Sequence, residues 1–156
     1  MQTYLALLRV HVSAGVIGSL TILAFWISTV MSELSGNHVA VVAVKNGILW
    51  GMLVLIPAMV TVAGTGFRLA GKAKSALVCS KKRRMPIIGL NAILVLAPCA
   101  FFLANRASAG QFDTMFYVVQ AIELIAGGTN LTLMGLNFRD GLTLSRWLKG
   151  SGLRPA

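Results

Sequence analysis

Four long apolar runs, separated by short polar segments, dominate the pattern of the chain. The runs cover about residues 4–30, 46–67, 85–104 and 114–137, and an apolar helix of roughly 20 residues crosses a bilayer core. The polar segments are the connections 32–45 and 105–113, the loop 68–84 and the tail 138–156. This pattern predicts an all-α integral membrane protein, a single domain built as an up-down-up-down four-helix bundle.

Composition agrees with a membrane protein. Hydrophobic residues make up 56% of the 156 residues and charged residues only 12%, about half the fraction found in soluble domains. The formal net charge of +10 would suggest a nucleic-acid partner in a soluble chain. Here the cations flank apolar runs and no aromatic residues alternate with them, so we expect no nucleic acid and expect anionic lipid as the partner.

The positive charges are distributed very unevenly. Twelve of the fourteen Lys and Arg residues lie at the termini or in the loop 68–84, and only Lys45 and Arg106 would lie on the other side. Cytoplasmic loops of membrane proteins are rich in Lys and Arg, so both termini are predicted to be cytoplasmic, in a bacterial-type inner (plasma) membrane. The tail 138–156 should leave the fourth helix at Gly141 and lie in the membrane interface.

The fourth run places polar and small residues on one face. Successive steps of 3, 4, 3, 4 and 3 residues, which align side chains along a helix, join Gln120, Glu123, Gly127, Asn130, Met134 and Asn137. An ionisable side chain within a membrane helix is costly and marks a functional site by default. Glu123 is therefore the centre of the predicted site.

The other runs add polar residues at matching depths. Counting about seven residues in from the cytoplasmic surface at 1.5 Å per residue reaches His11, Thr61, Asn91 and Asn130, which we predict to lie at one level. Gln120 and Glu123 would lie nearer the middle of the membrane. Steps of seven residues also place Asn91, Pro98 and Asn105 on one face of the third helix.

A bound redox cofactor is the first functional hypothesis. His11 is a candidate axial ligand for the iron of a b-type haem, and a quinone-like ligand is the alternative occupant. Since His38 should be solvated near the opposite surface, a second axial ligand would come from Met134, Met59, a second copy or a partner subunit. The candidate binding residues are His11, Gly15, Gly18, Thr61, Asn91, Gln120, Glu123, Gly127, Asn130 and Met134, and the glycines among them would leave space for the macrocycle.

Two other hypotheses stay open. A buried Glu123 that titrates near neutral pH could exchange a proton for a substrate, as in a proton-coupled small-molecule transporter. Alternatively, the polar and small residues could hold helices together in a structural or assembly subunit, since glycines often mark close helix packing. Each hypothesis implies a homo-oligomer or other membrane subunits. No catalytic set is evident, and Cys79 and Cys99 are predicted to be free thiols.

Overall fold

The computed structural model describes residues 2–71 and 76–150, apart from the side chains of residues 145 and 147–150. This part of the chain forms four helices, which confirms the all-α prediction. They are α1 (Gln2–Leu34), α2 (His38–Ala70), α3 (Ala76–Ser108) and α4 (Thr114–Gly150). Part of the predicted polar loop, 72–75, and the end of the predicted interfacial tail, 151–156, lie outside the described residues.

Helices α1, α2 and α3 are each long and apolar enough to cross a membrane. Only 17% of the most apolar stretch of α1 and 17% of that of α2 is buried inside the protein, and the share in α3 is 22%. Large apolar side chains therefore cover the outside of the bundle, far beyond what a soluble monomer exposes. This outer surface suits lipid, which supports a membrane protein; the fourth span, 114–137, stays a prediction.

The connection between α1 and α2 is very short. Helix α2 begins at His38 because the Asn37 side-chain oxygen accepts hydrogen bonds from the backbone N–H groups of Val39 and Ala40. Gly36 precedes this cap with a φ of 63°, a conformation that glycine adopts readily. Most of the segment 32–45 is consequently helical, although the sequence pattern suggested a connection.

Helix α3 contains a π turn over Ala92–Leu96, where the N–H of Ala97 donates to the carbonyl of Ala92. The turn lies immediately before Pro98, which has no backbone N–H to continue the α-helical pattern. One extra residue in the turn shifts later side chains around the axis by about 100°. Asn91 and Asn105 therefore do not share a face as predicted, since Asn91 contacts α4 and Asn105 is exposed.

Helix α4 does not stop at Gly141, contrary to the prediction, but continues to Gly150. A Cβ atom at Gly141 would lie 2.9 Å from the Lys81 side-chain nitrogen, which is the far end of a flexible side chain. Nearby, Arg84 donates to Asp140 at 2.6 Å. Gly141 thus lies within the helix, where it faces the Lys81 side chain of α3.

The four helices pack in a ring. Each helix packs against the next along the chain, and α4 packs back against α1; no close backbone contact joins α2 and α4 within the described residues. Two small apolar clusters lie inside the ring. One contains Ile22, Ile88 and Met134, and the other contains Val41, Leu103, Ala107 and Phe116.

Glycines allow the extensive contact between α1 and α2. A methyl group at Gly18 would lie 3.3 Å from the Met59 sulfur, and one at Gly51 would overlap the Phe25 ring. By contrast, a methyl group at Gly47 in the same helix meets nothing within 4 Å. The position of Phe25 therefore requires a glycine at residue 51, whereas no neighbouring atom requires a glycine at residue 47.

This difference gives a matched test of helix packing. Gly51→Ala should destabilise the protein by about 1–3 kcal/mol, because the Phe25 ring must move out of a packed site. Gly47→Ala should be neutral or stabilising by up to about 1 kcal/mol, because alanine favours the helix. Thermal unfolding of both variants in the same detergent measures the difference, and equal melting temperatures would contradict the packing described here.

Candidate functional site

A cavity of about 290 Å³ lies among the four helices. Its walls are almost entirely apolar and include aromatic and methionine side chains from α1 and α2, together with the π turn of α3. Among the described residues that line it, Glu123 is the one acidic side chain. The principal lining residues are Phe25, Trp26, Met52, Met59, Leu96 and Gly127.

The cavity opens on the outer surface of the bundle between α2 and α3. Ile56 and Val60 of α2 and Ile93 of α3 all line it, and their exposed fractions are 55%, 66% and 68%. Helix α2 packs mainly against the second half of α3, so the helices separate beside its first half. The opening therefore faces the apolar surface that suits lipid.

A buried ion pair borders the cavity. The Lys45 ammonium lies 2.5 Å from Glu123 Oε2, and their side chains are 0% and 11% exposed. Gln120 Nε2 donates to the same carboxylate oxygen at 3.1 Å. Because α2 and α4 are not neighbours in the ring, the long lysine side chain spans the bundle diagonally to reach Glu123.

The position of Lys45 follows from the periodicity of α2. Val41, Lys45 and Ile48 recur at steps of four and three and are all buried, so they share the inward face of the helix. Lys45 was predicted to be a surface cation because the pattern placed residues 32–45 outside the helix. Val41 lies four residues before Lys45 and Ile48 lies three residues after it. This helical spacing of apolar residues was the signal that could have placed Lys45 on the inward face of α2.

Trp26 and Gly127 shape the wall next to the ion pair. The Trp26 indole N–H donates to the backbone carbonyl of Leu124 at 3.0 Å, and a Cβ at Gly127 would lie 3.1 Å from Trp26 Cδ1. Gly127 thus makes room for the tryptophan ring. The sequence hypothesis had assigned this space to a ligand.

Asn91 and Asn130 meet as part of a second polar contact, between α3 and α4. The Asn91 amide donates to Asn130 Oδ1 and to the carbonyl of Ala126, both at 2.9 Å. Asn130 is 0% exposed, and its own amide donates to the carbonyl of Ile88 at 3.3 Å. These bonds satisfy two amides that would otherwise be costly to bury, so they tie α3 to α4.

His11 belongs to a separate contact between α1 and α2. Thr65 donates its hydroxyl proton to the carbonyl of Thr61 at 2.6 Å, so His11 Nδ1–H is the donor in the 2.8 Å bond to Thr65 Oγ1. The side chain of Thr61 donates to Pro57 within its own helix. His11 therefore contacts neither Glu123 nor the asparagine pair, and its hydrogen-bond partner is Thr65.

The remaining candidate residues lie in packed positions. A methyl group at Gly15 would lie 3.9 Å from both Phe138 and Val62, and Met134 is 7% exposed within an apolar cluster. Among the described residues, no three His, Cys, Asp or Glu side chains are grouped so that they could hold a metal ion. The structure thus divides the predicted site into three separate contacts and adds Lys45 to the one that borders the cavity.

Comparisons with protein-family models, with curated proteins and with solved structures find no match to this chain. The chemistry of the site must therefore be argued from its own residues. It offers an apolar volume, one carboxylate that can accept or, when protonated, donate a hydrogen bond, and a buried ammonium beside it.

The buried pair can be tested by removing its cation. Lys45→Met should destabilise the protein by about 3–5 kcal/mol at neutral pH, because Glu123 is left buried without a counter-charge. The double variant Lys45→Met/Glu123→Leu should recover most of the stability, as apolar residues replace the pair.

The matched control is Arg106→Met, which breaks the more exposed pair between Arg106 and Asp113. Exposed pairs contribute about 1 kcal/mol or less, so this variant should change the melting temperature little. Equal effects of Lys45→Met and Arg106→Met would contradict a buried role for Lys45.

Proposed function

We propose that this protein is a small integral subunit of a bacterial-type inner membrane that binds a quinone-like ligand in the cavity next to Glu123. The supporting observation is an apolar volume that opens toward lipid and has a hydrogen-bonding carboxylate in its wall. Ligand sites typically combine apolar walls with a few polar groups that fix the orientation of the ligand. A lipid-soluble ring with carbonyl oxygens has this combination of properties.

The size of the cavity favours a quinone-like head group over haem b. About 290 Å³ is at the small end of ligand pockets, which range from roughly 300 to 1,000 Å³. Haem would also need space beside His11, yet Thr65 and Gly66 lie against that ring. Trp26 likewise covers Gly127, where the macrocycle was expected. These contacts support the quinone-like ligand as the better proposal.

We further propose the up-down-up-down topology, with both termini and the loop 68–84 in the cytoplasm. Contacts between α1 and α2 support it, because His11 meets Thr65 near one end and Phe25 meets Gly51 farther along. The excess of Lys and Arg in and around the loop supports the cytoplasmic assignment. The same basic surface would bind anionic lipid.

A structural or assembly subunit is the second candidate. Trp26, Asn91 and Asn130 each donate a hydrogen bond to a neighbouring helix, which is what helix association alone requires. Partner subunits or further copies of the chain would then cover part of the apolar surface. Proton-coupled transport has support only from Glu123, and the carboxylate of that residue is paired with Lys45.

Ligand binding can be measured through Trp26, which lines the cavity. With Trp50 and Trp147 replaced by Phe, emission reports the remaining tryptophan, and an alkyl-benzoquinone should quench it in a saturable manner. Gly89→Leu should weaken binding at least about tenfold, because Gly89 lines the cavity and a leucine there would fill part of it.

Gly64→Leu is the matched control, because a side chain at Gly64 also meets nothing within 4 Å but Gly64 does not line the cavity. It should bind the quinone as tightly as the parent protein. Quenching that rises linearly without saturation, and equally in both variants, would indicate partitioning into detergent and would refute the proposed site.

Topology can be tested with the native thiols. Cys79 is free and exposed near the basic loop, whereas Cys99 is free and partly buried. In a Cys99→Ala background, a membrane-impermeant maleimide should label Cys79 in inverted vesicles and not in intact spheroplasts. A cysteine introduced at Gln111 in a background lacking Cys79 should show the reverse labelling. Labelling of Cys79 from outside would refute the proposed orientation.

A further inference from the structure

A shallow groove of about 560 Å³ lies on the outer surface of the bundle, between α1 and α2. It shares no lining residue with the cavity next to Glu123. Its walls are mostly apolar, and the principal apolar lining residues are Val10, Ile17, Leu53, Val54 and Pro57. Several of these side chains are exposed, so the groove faces the surroundings of the bundle and not its interior.

The polarity of the groove changes in order along α1. Arg9, Ser13 and Ile17 follow one another at steps of four residues and line the groove from one face of the helix. Ser13 lies about 6 Å beyond Arg9 along the axis. Its hydroxyl makes no hydrogen bond with another described residue, whereas Ser19 donates to a carbonyl of its own helix. The groove therefore presents a cation, then a hydroxyl, then an apolar surface.

Arg9 lies where the membrane surface is expected. Residues 10–32 of α1 and 46–67 of α2 contain no Lys, Arg, Asp or Glu, and each stretch is about long enough to cross a bilayer core. Arg9 and Arg68 are the first charged residues beyond these stretches, at the end where the two helices have their cations. The polar end of the groove thus lies at the depth of lipid head groups.

The register of the two helices places both arginines at one level. His11 contacts Thr65 across the interface, and α1 and α2 run in opposite directions. Two residues farther toward the surface, Arg9 is therefore level with residue 67, next to Arg68. Thr61 lines the groove seven residues before Arg68, and this spacing places both on one face of α2. Two guanidinium groups are consequently available at the end of the groove.

The chain has no counter-charge for these arginines. Neither Arg9 nor Arg68 forms a hydrogen bond or ion pair with another residue in the described part of the chain. Three of the four acidic side chains are paired with other cations: Asp113, Glu123 and Asp140.

A second copy of the chain could not supply the missing charge either. The fourth acid, Glu33, lies 24 residues along α1 from Arg9, which is about 36 Å away along the axis. Copies inserted in the same orientation keep their Glu33 residues at the opposite membrane surface. An anion that meets Arg9 must therefore come from outside this chain and its copies, and anionic lipid is present at that depth.

We propose that the groove between α1 and α2 binds one anionic phospholipid. Arg9, with Arg68 beside it, contacts the phosphate, because a guanidinium group donates two parallel hydrogen bonds to phosphate oxygens. Ser13 donates to an ester carbonyl, and one acyl chain lies along Ile17, Leu53 and Val54. The proposal rests on the attraction to anionic lipid proposed above and assigns it to one site, and it does not depend on the quinone-like ligand.

Native mass spectrometry of the delipidated full-length protein in detergent tests the head-group contact. Dioleoyl phosphatidylglycerol should bind to one site more tightly than to any later one. Arg9→Gln should weaken this first binding step at least about tenfold, because the phosphate loses charge-assisted hydrogen bonds.

Arg83→Gln is the matched control, because it removes the same charge from an exposed residue of α3 that does not line the groove. It should change the first binding step by less than about twofold, since a distant exposed charge is screened. Equal losses in both variants would show diffuse attraction to the basic surface only and would overturn the proposed site.

The acyl-chain contact has a separate pair of variants. Val54→Trp should weaken the first binding step at least about tenfold, because the larger side chain fills the apolar part of the groove. Val118→Trp, at a residue of α4 outside the groove, is the control and should bind normally; the two valines are 54% and 50% exposed. Unchanged binding in Val54→Trp, or a protein dimer that this variant disperses, would overturn the proposal.

The nature of the ligand is decided by two further probes. Dioleoyl phosphatidylcholine, whose head group has no net charge, should bind at least about tenfold more weakly than the anionic lipid. Inorganic phosphate should not displace the bound lipid, because it lacks the acyl chain. Equal binding of the two lipids, or displacement by phosphate, would overturn the assignment to an anionic phospholipid.

The lipid site and the quinone site can fail separately. Arg9→Gln should leave the quenching of Trp26 by the alkyl-benzoquinone unchanged, because Arg9 does not line the cavity. A protein that binds no quinone but binds one phosphatidylglycerol through Arg9 would support the groove and refute only the quinone-like ligand. A protein that binds the quinone and no specific lipid would overturn the groove alone.

Discussion

The ion pair between Lys45 and Glu123 constrains the whole bundle. It joins α2 and α4, which are not neighbours in the ring, so the intervening helices must hold a fixed distance for the lysine to reach. Neither charge is tolerable alone in this position, because desolvation without a partner costs several kcal/mol. The cavity lies next to this pair, because Glu123 is part of its wall.

Much of the architecture was accessible from the sequence because lipid imposes simple rules on it. Long apolar runs must be helical, and a chain with so little charge cannot be an ordinary soluble domain. Helical spacing placed Glu123 on the polar face of the fourth run, and counting residues from the membrane surface placed Asn91 and Asn130 at one level, where they form a hydrogen bond. The hydrogen bond from Gln120 to Glu123 agrees with helical spacing, because residues three positions apart lie on one face of a helix.

Sequence patterns were less informative where local geometry departs from a regular helix. Lys45 was predicted to lie on the surface, but the cap at Asn37 starts α2 eight residues before the apolar run begins. Asn91 and Asn105 align only on an undistorted helix, and the π turn before Pro98 changes the inward face. Glycines were interpreted as space for a ligand, whereas Gly127 accommodates Trp26. These outcomes depend on contacts between helices that no single helix specifies.

The opening between α2 and α3 determines how any molecule reaches the cavity. The opening is lined by the apolar side chains of Ile56, Val60 and Ile93. A ligand would have to dissolve in the membrane first and then enter the cavity laterally from among the acyl chains. Solubility in lipid then acts as the first filter of selectivity, before any atom of the protein is touched. Water-soluble competitors would be excluded by the surrounding bilayer itself, and the thickness and fluidity of that bilayer would set the rate of arrival.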